Sequence, residues 1–207
     1  MTKPKTSKMR IERFDTEEAW IEGRLGKITG TKAGNLILKS GKGKKIGFYE
    51  LLAERVAIPA RGENAMDRGK RLEDLAIERF EQETGKKVDN DLMIWYRADD
   101  DNIAVSPDGM IGNTEAVECK CLSSARHCEA FLTKKIPSDY EEQVLQYFIV
   151  NDELEVVYFV FYDPRMPKDF FFFKVTREEK EEEIKELMEL ERNILLELSV
   201  AEDLLTF

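Results

Sequence analysis

The sequence predicts an α/β (α+β) domain, a central mixed β-sheet flanked by helices. Three observations predict it. Short apolar runs at 103–105, 116–121, 156–162 and 170–175 have the length and the β-branched or aromatic composition of strands. Amphipathic stretches with helical spacing surround them, from about Asn64 to Thr84, from Pro137 onward and from Thr176 onward. The run Val156 to Tyr162 is apolar almost without a break, which suits a strand covered on both faces. A chain of 207 residues fits one domain with a full core, residues 1–207.

Residues 1–13 are basic, and their composition predicts a flexible tail. Asp15 and Glu18 have capping-box spacing and open a helix to about Leu25. The segment Gly23-Arg-Leu-Gly-Lys-Ile-Thr-Gly-Thr31 then turns into a second helix start. Backbone N–H groups and a hydroxyl there can hold an anion, with Arg24 as a charged fork, but a plain helix connection explains the segment nearly as well. Lys39, Lys42, Lys44 and Lys45 fall in a glycine-containing basic stretch, either a solvated loop or one that tracks a phosphate backbone. Helical character resumes from Phe48 to Val56, breaks at Pro59 and Gly62, and restarts near Asn64. In that helix Gly69, Leu72, Ala76, Ile77 and Phe80 form one face, and Glu73 shares it while Asp74 points away. A carboxylate inside an apolar stripe needs a partner. Thr84-Gly85 ends the helix, and Val88 to Tyr96 reads as a strand with a polar interruption.

The stretch Ser106 to Lys120 carries the chemistry. Pro107 stops the strand Ile103–Val105 and Gly109 marks a turn running through Met110 to Thr114, so Asp108 sits at a strand end. In the run Ala116 to Cys121, Val117, Cys119 and Cys121 face one side and Glu118 and Lys120 the other. Two carboxylates beside an ammonium suit metal-dependent phosphodiester hydrolysis. Carboxylate oxygens bind hard divalent ions, and the ion offsets charge on the attacked phosphoryl group. Lys120 is placed to orient or deprotonate water. A surface hairpin with an ordinary ion pair is the bland alternative.

Further on, a short helix around His127 to Leu132 is expected, with His127 at the surface. Ser138 and Glu141 are spaced as a capping box for a helix in which Tyr140, Gln143, Val144 and Tyr147 share a face, so Gln143 is directed inward. Asp163 to Pro167 turns the chain between Val156–Tyr162 and its hairpin partner, Phe170 to Val175. Thr176 with Glu179 caps a long acidic helix, 176–207, whose stripe is Ile184, Leu187, Glu191, Ile194, Leu195 and Leu198.

The formal charge is −10, yet residues 1–61 hold 14 basic against 7 acidic groups and residues 176–207 hold 4 against 11. Such polarity lets a basic face meet phosphates while the acidic helix lies elsewhere. Three cysteines and one histidine cannot supply the four ligands that a structural zinc or an iron–sulfur cluster usually takes, so Cys119 and Cys121 read as small buried residues. No apolar run reaches membrane-spanning length and no signal-peptide stretch is present, so a soluble, cytoplasmic protein without membrane contact is expected.

Ser106-Pro-Asp-Gly109 followed by Glu118-Cys-Lys120 resembles the signature of the PD-(D/E)xK nuclease superfamily. An ordered set extends this: Arg24-Leu-Gly-Lys-Ile-Thr29, Gly69-Lys-Arg-Leu-Glu73, Arg126, Tyr140 with Gln143, and Tyr162-Asp-Pro-Arg-Met166. From about Trp20 to Arg177 the chain resembles the lambda exonuclease and YqaJ-type viral recombinase family. The resemblance implies a restriction-endonuclease-like core and an exonuclease that uses two Mg²⁺ ions, with Mn²⁺ as a substitute. Such an enzyme degrades one strand of linear duplex DNA from a 5′-phosphate end. It further implies that Asp108, Glu118, the Cys119 backbone carbonyl and Glu73 hold metal, and that Lys120 activates the nucleophile with Tyr140 and Gln143 in support. Arg24, Thr31, Ser106 and Arg126 would bind the 5′-phosphate, and Met66 would split the duplex end. A homotrimeric ring and a single-strand annealing protein as partner are implied in the same way. A structure-specific or restriction-like endonuclease, and an inactive DNA-end-binding module, are the alternatives.

Overall fold

A computed structural model describes residues 9–36, 48, 51, 66–122, 124–164 and 166–205, and leaves the side chains of 66–71, 124–126 and 128 undescribed. Among the described residues, seven strands form two sheets. The first is antiparallel, in the order β1 (Arg10–Arg13), β2 (Met93–Tyr96), β3 (Ala104–Val105). The second is mixed, in the order β4 (Gly109–Ile111), β5 (Glu115–Lys120), β6 (Val156–Tyr162), β7 (Phe170–Thr176). Within it β5 and β6 run parallel and the other pairs antiparallel. The three residues Ser106, Pro107 and Asp108 bridge from one sheet to the other.

Strand β6 explains the layering. Its Val157, Phe159 and Phe161 enter one core and its Val156, Tyr158 and Val160 another, so both faces are covered, as its unbroken apolar run requires. Helix α3 (Met66–Thr84) lays Ala76, Ile77 and Phe80 on the second face, together with Val117 and Cys119 of β5. Helices α5 (Glu141–Val150) and α6 (Glu181–Leu205) cover the first. Further helices among the described residues are α1 (Glu17–Arg24), α2 (Gly30–Leu36) and α4 (Ser124–Thr133).

Helix α5 is anchored at its C-terminus by two arginines. The Arg177 guanidinium donates to the carbonyls of Phe148, Asn151 and Leu154 at 2.6–2.7 Å, and Arg97 donates to that of Ile149. Cations at this end satisfy carbonyls that the helix itself leaves open. The Thr176–Glu179 box before α6 is formed, with both the N–H and the hydroxyl of Thr176 donating to Glu179.

Several local expectations are corrected. Residues Arg10–Arg13 are an edge strand, not part of a flexible tail, because Arg10 faces Tyr96 across the ladder and Arg13 forks onto Asp89 and Asp91. Thr16 caps α1 in place of Asp15, its hydroxyl accepting from the Ala19 N–H. Only Met93–Tyr96 of the 88–96 run is a strand; Asp89 makes a single bridge to Met110, and its carboxylate accepts from Arg13 and from the Asp91 N–H. Gly109 opens a strand, and the turn lies at Gly112, which has a φ of 59°. A Cβ at Gly109 would come within 2.3 Å of Val88 Cγ1, so packing demands glycine there. Ser138 starts a 3₁₀ turn, Ser138–Tyr140, with no side-chain cap, and α5 follows it directly. His127 is buried, accepting the Phe171 ring edge-on and bonding the Lys168 carbonyl through Nε2. Of 48–56, Phe48 and Leu51 are described and both are buried.

Candidate active site

The acidic centre lies where the two sheets meet. Strand β5 brings Glu118 and Lys120 to one face, as period-two alternation requires, and Lys120 Nζ donates to Glu118 Oε1 at 2.6 Å. Asp108 arrives on the link between β3 and β4, and its Oδ2 accepts the Cys119 N–H at 2.7 Å. Glu73 of α3 acts on Asp108 through its charge from the helix covering the opposite face of the sheet. These residues are therefore gathered from three segments of the chain.

Helix α5 completes the centre. The Gln143 amide donates to Glu118 Oε1 at 2.6 Å, and the Tyr147 hydroxyl donates to Glu118 Oε2. Gln143 thus meets the same oxygen that Lys120 holds. Tyr140 supports the lysine, with Lys120 Nζ 4.9 Å from its ring centre. A Cβ on Gly30 would stand 2.9 Å from Gln143 Cγ, so the small residue in α2 leaves room for the amide. Tyr147 is the residue sequence reasoning left without a role. Its place on the inward face was readable, but an inward tyrosine is usually core packing and nothing in the spacing singled out Glu118 as its partner.

Electrostatics show a site with too much negative charge for its own cations. Burial pushes the Asp108 carboxyl well above the usual carboxylate range, and the charges of Glu118 and Glu73 push it further, while Lys120 and the Cys119 N–H only partly offset them. Burial lowers Lys120, yet the charges of Glu118 and Asp108 outweigh this and hold its ammonium above its ordinary value. Burial likewise raises Tyr147, with Glu118 next in effect, so its hydroxyl stays protonated and a donor. Three carboxylates with oxygen donors and one lysine are a donor set that suits a hard divalent cation. Among the described residues no three acidic, cysteine or histidine groups already stand in ligating array, and both Glu118 oxygens and Asp108 Oδ2 are turned to hydrogen-bond donors. The Cys119 side chain packs in the apolar layer against α3, which leaves only its backbone for a ligand role.

The anion-binding candidates are partly assembled. Arg24 Nη2 donates to Thr31 Oγ1 at 3.3 Å, its guanidinium lies 4.4 Å from the Trp20 ring centre, and Thr31 shares a 3.2 Å hydroxyl contact with buried Thr29. Ile28 bridges to Ile103, which draws this segment to the strand leading to Ser106. The Ser106 hydroxyl oxygen is buried without a hydrogen-bond partner. Arg126 and Met66 lie in α4 and α3, but their side chains, like residues Lys39, Lys42, Lys44 and Lys45, fall outside the described residues.

The model of the YqaJ-like viral recombinase domain matches residues 19–153. The chain belongs to the YqaJ-like viral recombinase family. Its structure is similar to that of an alkaline exonuclease from Laribacter hongkongensis, with 26% identity over 91% of this chain and 96% of the other and a TM-score of 0.77. The same exonuclease in complex with dAMP gives a TM-score of 0.76 at 26% identity, over 91% and 98% of the two chains. A phage-related exonuclease from Haemophilus somnus shares the fold at 14% identity, with a TM-score of 0.55 over 84% and 96%. No relative was found among curated proteins. The YqaJ-like domain thus has the expected restriction-endonuclease-like α/β fold. No helix among its described residues is long and apolar enough to cross a membrane.

Proposed function

We propose that this YqaJ-like protein is a Mg²⁺-dependent nuclease that degrades one strand of linear duplex DNA from its 5′-phosphorylated end. The product is a duplex with 3′ single-stranded tails, the substrate of recombination by strand annealing. The observation that carries the reading is the convergence of Asp108, Glu118 and Lys120 at the sheet junction, in a chain similar over 91% of its length to an alkaline exonuclease. Asp108, Glu118, Glu73 and the Cys119 carbonyl would hold two Mg²⁺ ions, with Mn²⁺ as a substitute. Bound there, the ions would polarise the phosphodiester and lower the pKa of a bound water. Lys120, held by Glu118 and Tyr140, orients the attacking water or moves its proton. Gln143 keeps Glu118 in place. Arg24, Thr31, Ser106 and Arg126 would hold the 5′-phosphate and so set the direction of digestion.

We further propose a ring of three subunits around DNA and a single-strand annealing protein as working partner, as the family resemblance implies. The test of the main reading uses purified protein, Mg²⁺ and 5′-phosphorylated linear duplex beside closed circular DNA. Digestion of the linear form alone, lost in Asp108→Ala, is expected. Cutting of the circle would mark an endonuclease instead, and end binding without any metal-dependent cleavage would mark an inactive module.

A further inference from the structure

We propose that Tyr147 is a positioning residue that fixes the plane of the Glu118 carboxylate and thereby sets how tightly the centre binds its divalent ion. The proposal rests on the metal-dependent nuclease reading. Its basis is an inventory of the Glu118 oxygens. A carboxylate offers about four acceptor positions, two on each oxygen. Lys120 and Gln143 both donate to Oε1, and Tyr147 donates to Oε2. One position is left, on Oε2, and its direction is set by where the tyrosine hydroxyl sits. Without that hydroxyl the carboxylate is held at Oε1 alone and Oε2 is free to swing.

Tyr147 is itself held firmly enough for this task. It is fully buried, and its ring meets Trp95 edge-on at 6.2 Å. It sits on α5, whose C-terminus Arg97 and Arg177 tie down. The helix also carries Gln143, so one rigid element delivers donors to both oxygens of the same carboxylate. Groups that orient a metal ligand in this way typically change metal affinity about 10- to 100-fold when removed.

The test measures Mn²⁺ binding to the full chain by electron paramagnetic resonance, without DNA, in wild type, Tyr147→Phe and Tyr158→Phe. Phenylalanine keeps the ring against Trp95, so the variant is expected to fold and melt close to wild type. Tyr147→Phe should bind Mn²⁺ about tenfold or more weakly, with DNA-end binding in chelator unchanged and turnover recovering as Mn²⁺ is raised to saturation. Tyr158→Phe removes a different tyrosine–glutamate contact, from β6 to Glu115 on the strand that carries Glu118, and should leave Mn²⁺ binding as it was. A Tyr147→Phe protein within twofold of wild-type affinity overturns the proposal and leaves the nuclease reading intact. A wild-type protein that binds no Mn²⁺ overturns both.

Discussion

Arg24 carries a prediction that belongs to a single side chain. Its guanidinium stacks on Trp20 and bonds Thr31, so it is preorganised and little ordering remains when an anion arrives. A charge-assisted bond of this kind contributes about 1.5–3 kcal/mol, so Arg24→Ala should slow digestion of 5′-phosphorylated ends by about 10- to 100-fold. Ends carrying a 5′-hydroxyl should change little, which also controls for the lost stacking on Trp20. Equal losses on the two ends, in parallel rate measurements, would contradict the pocket. At this scale the sequence was informative where chemistry and spacing coincide. Asp108, Glu118 and Lys120 were legible because strand alternation and the proline-stopped turn leave few ways to arrange them, and Gln143 because an amide on an apolar helix face must be satisfied. His127 was not legible. Its burial depends on Phe171 and the Lys168 carbonyl, more than 40 residues away.

Helix α6 supplies the prediction at the level of an element. Its inward stripe contains Glu191, and the structure buries that carboxyl completely. Burial pushes it up to about 8, and the nearby Gln146 amide and Arg97 offset this only in part. The folded state therefore holds the proton more tightly than the unfolded chain does. The stability this contributes is complete below the unfolded carboxyl's range and is lost as pH rises through about 8. Melting temperature should therefore fall from pH 5 to pH 9, each pH unit between the two pKa values costing about 1.4 kcal/mol. Glu191→Gln should flatten that fall and melt higher than wild type at pH 9. An unchanged pH slope in the variant would show that Glu191 does not carry it. The stripe itself was readable from helical periodicity, whereas the state of the carboxyl was not, because it depends on what α5 and the segment after β2 place around it.

For the whole molecule, charge polarity and assembly are the open quantities. The basic first third and acidic last helix segregate charge along the chain, which suits a protein that meets DNA on one side. On the proposed ring, the protein mass in solution, measured alone and in a duplex complex after subtracting the DNA, is expected to be three times the 24.0 kDa of the chain. A monomer under both conditions would refute the ring. Nothing in the sequence pattern encodes such an assembly, since an exposed apolar residue at helical spacing looks the same whether a second subunit or solvent covers it.

The sequence by itself determined the main helices, the strands β5, β6 and β7 of the mixed sheet and the grouping of Glu118 with Lys120 on one strand face beside Asp108, because local periodicity and turn chemistry act over a few residues. It also determined which face of α5 turns inward. Tertiary structure alone decided that residues 10–13 form a strand, since their ladder partner, 93–96, lies about 80 residues away. It also decided that Ser106 to Asp108 span two sheets and that Glu118 is gripped from both oxygens by α5 and its own strand. Periodicity states which way a side chain points; only the packing of distant segments states what it meets there.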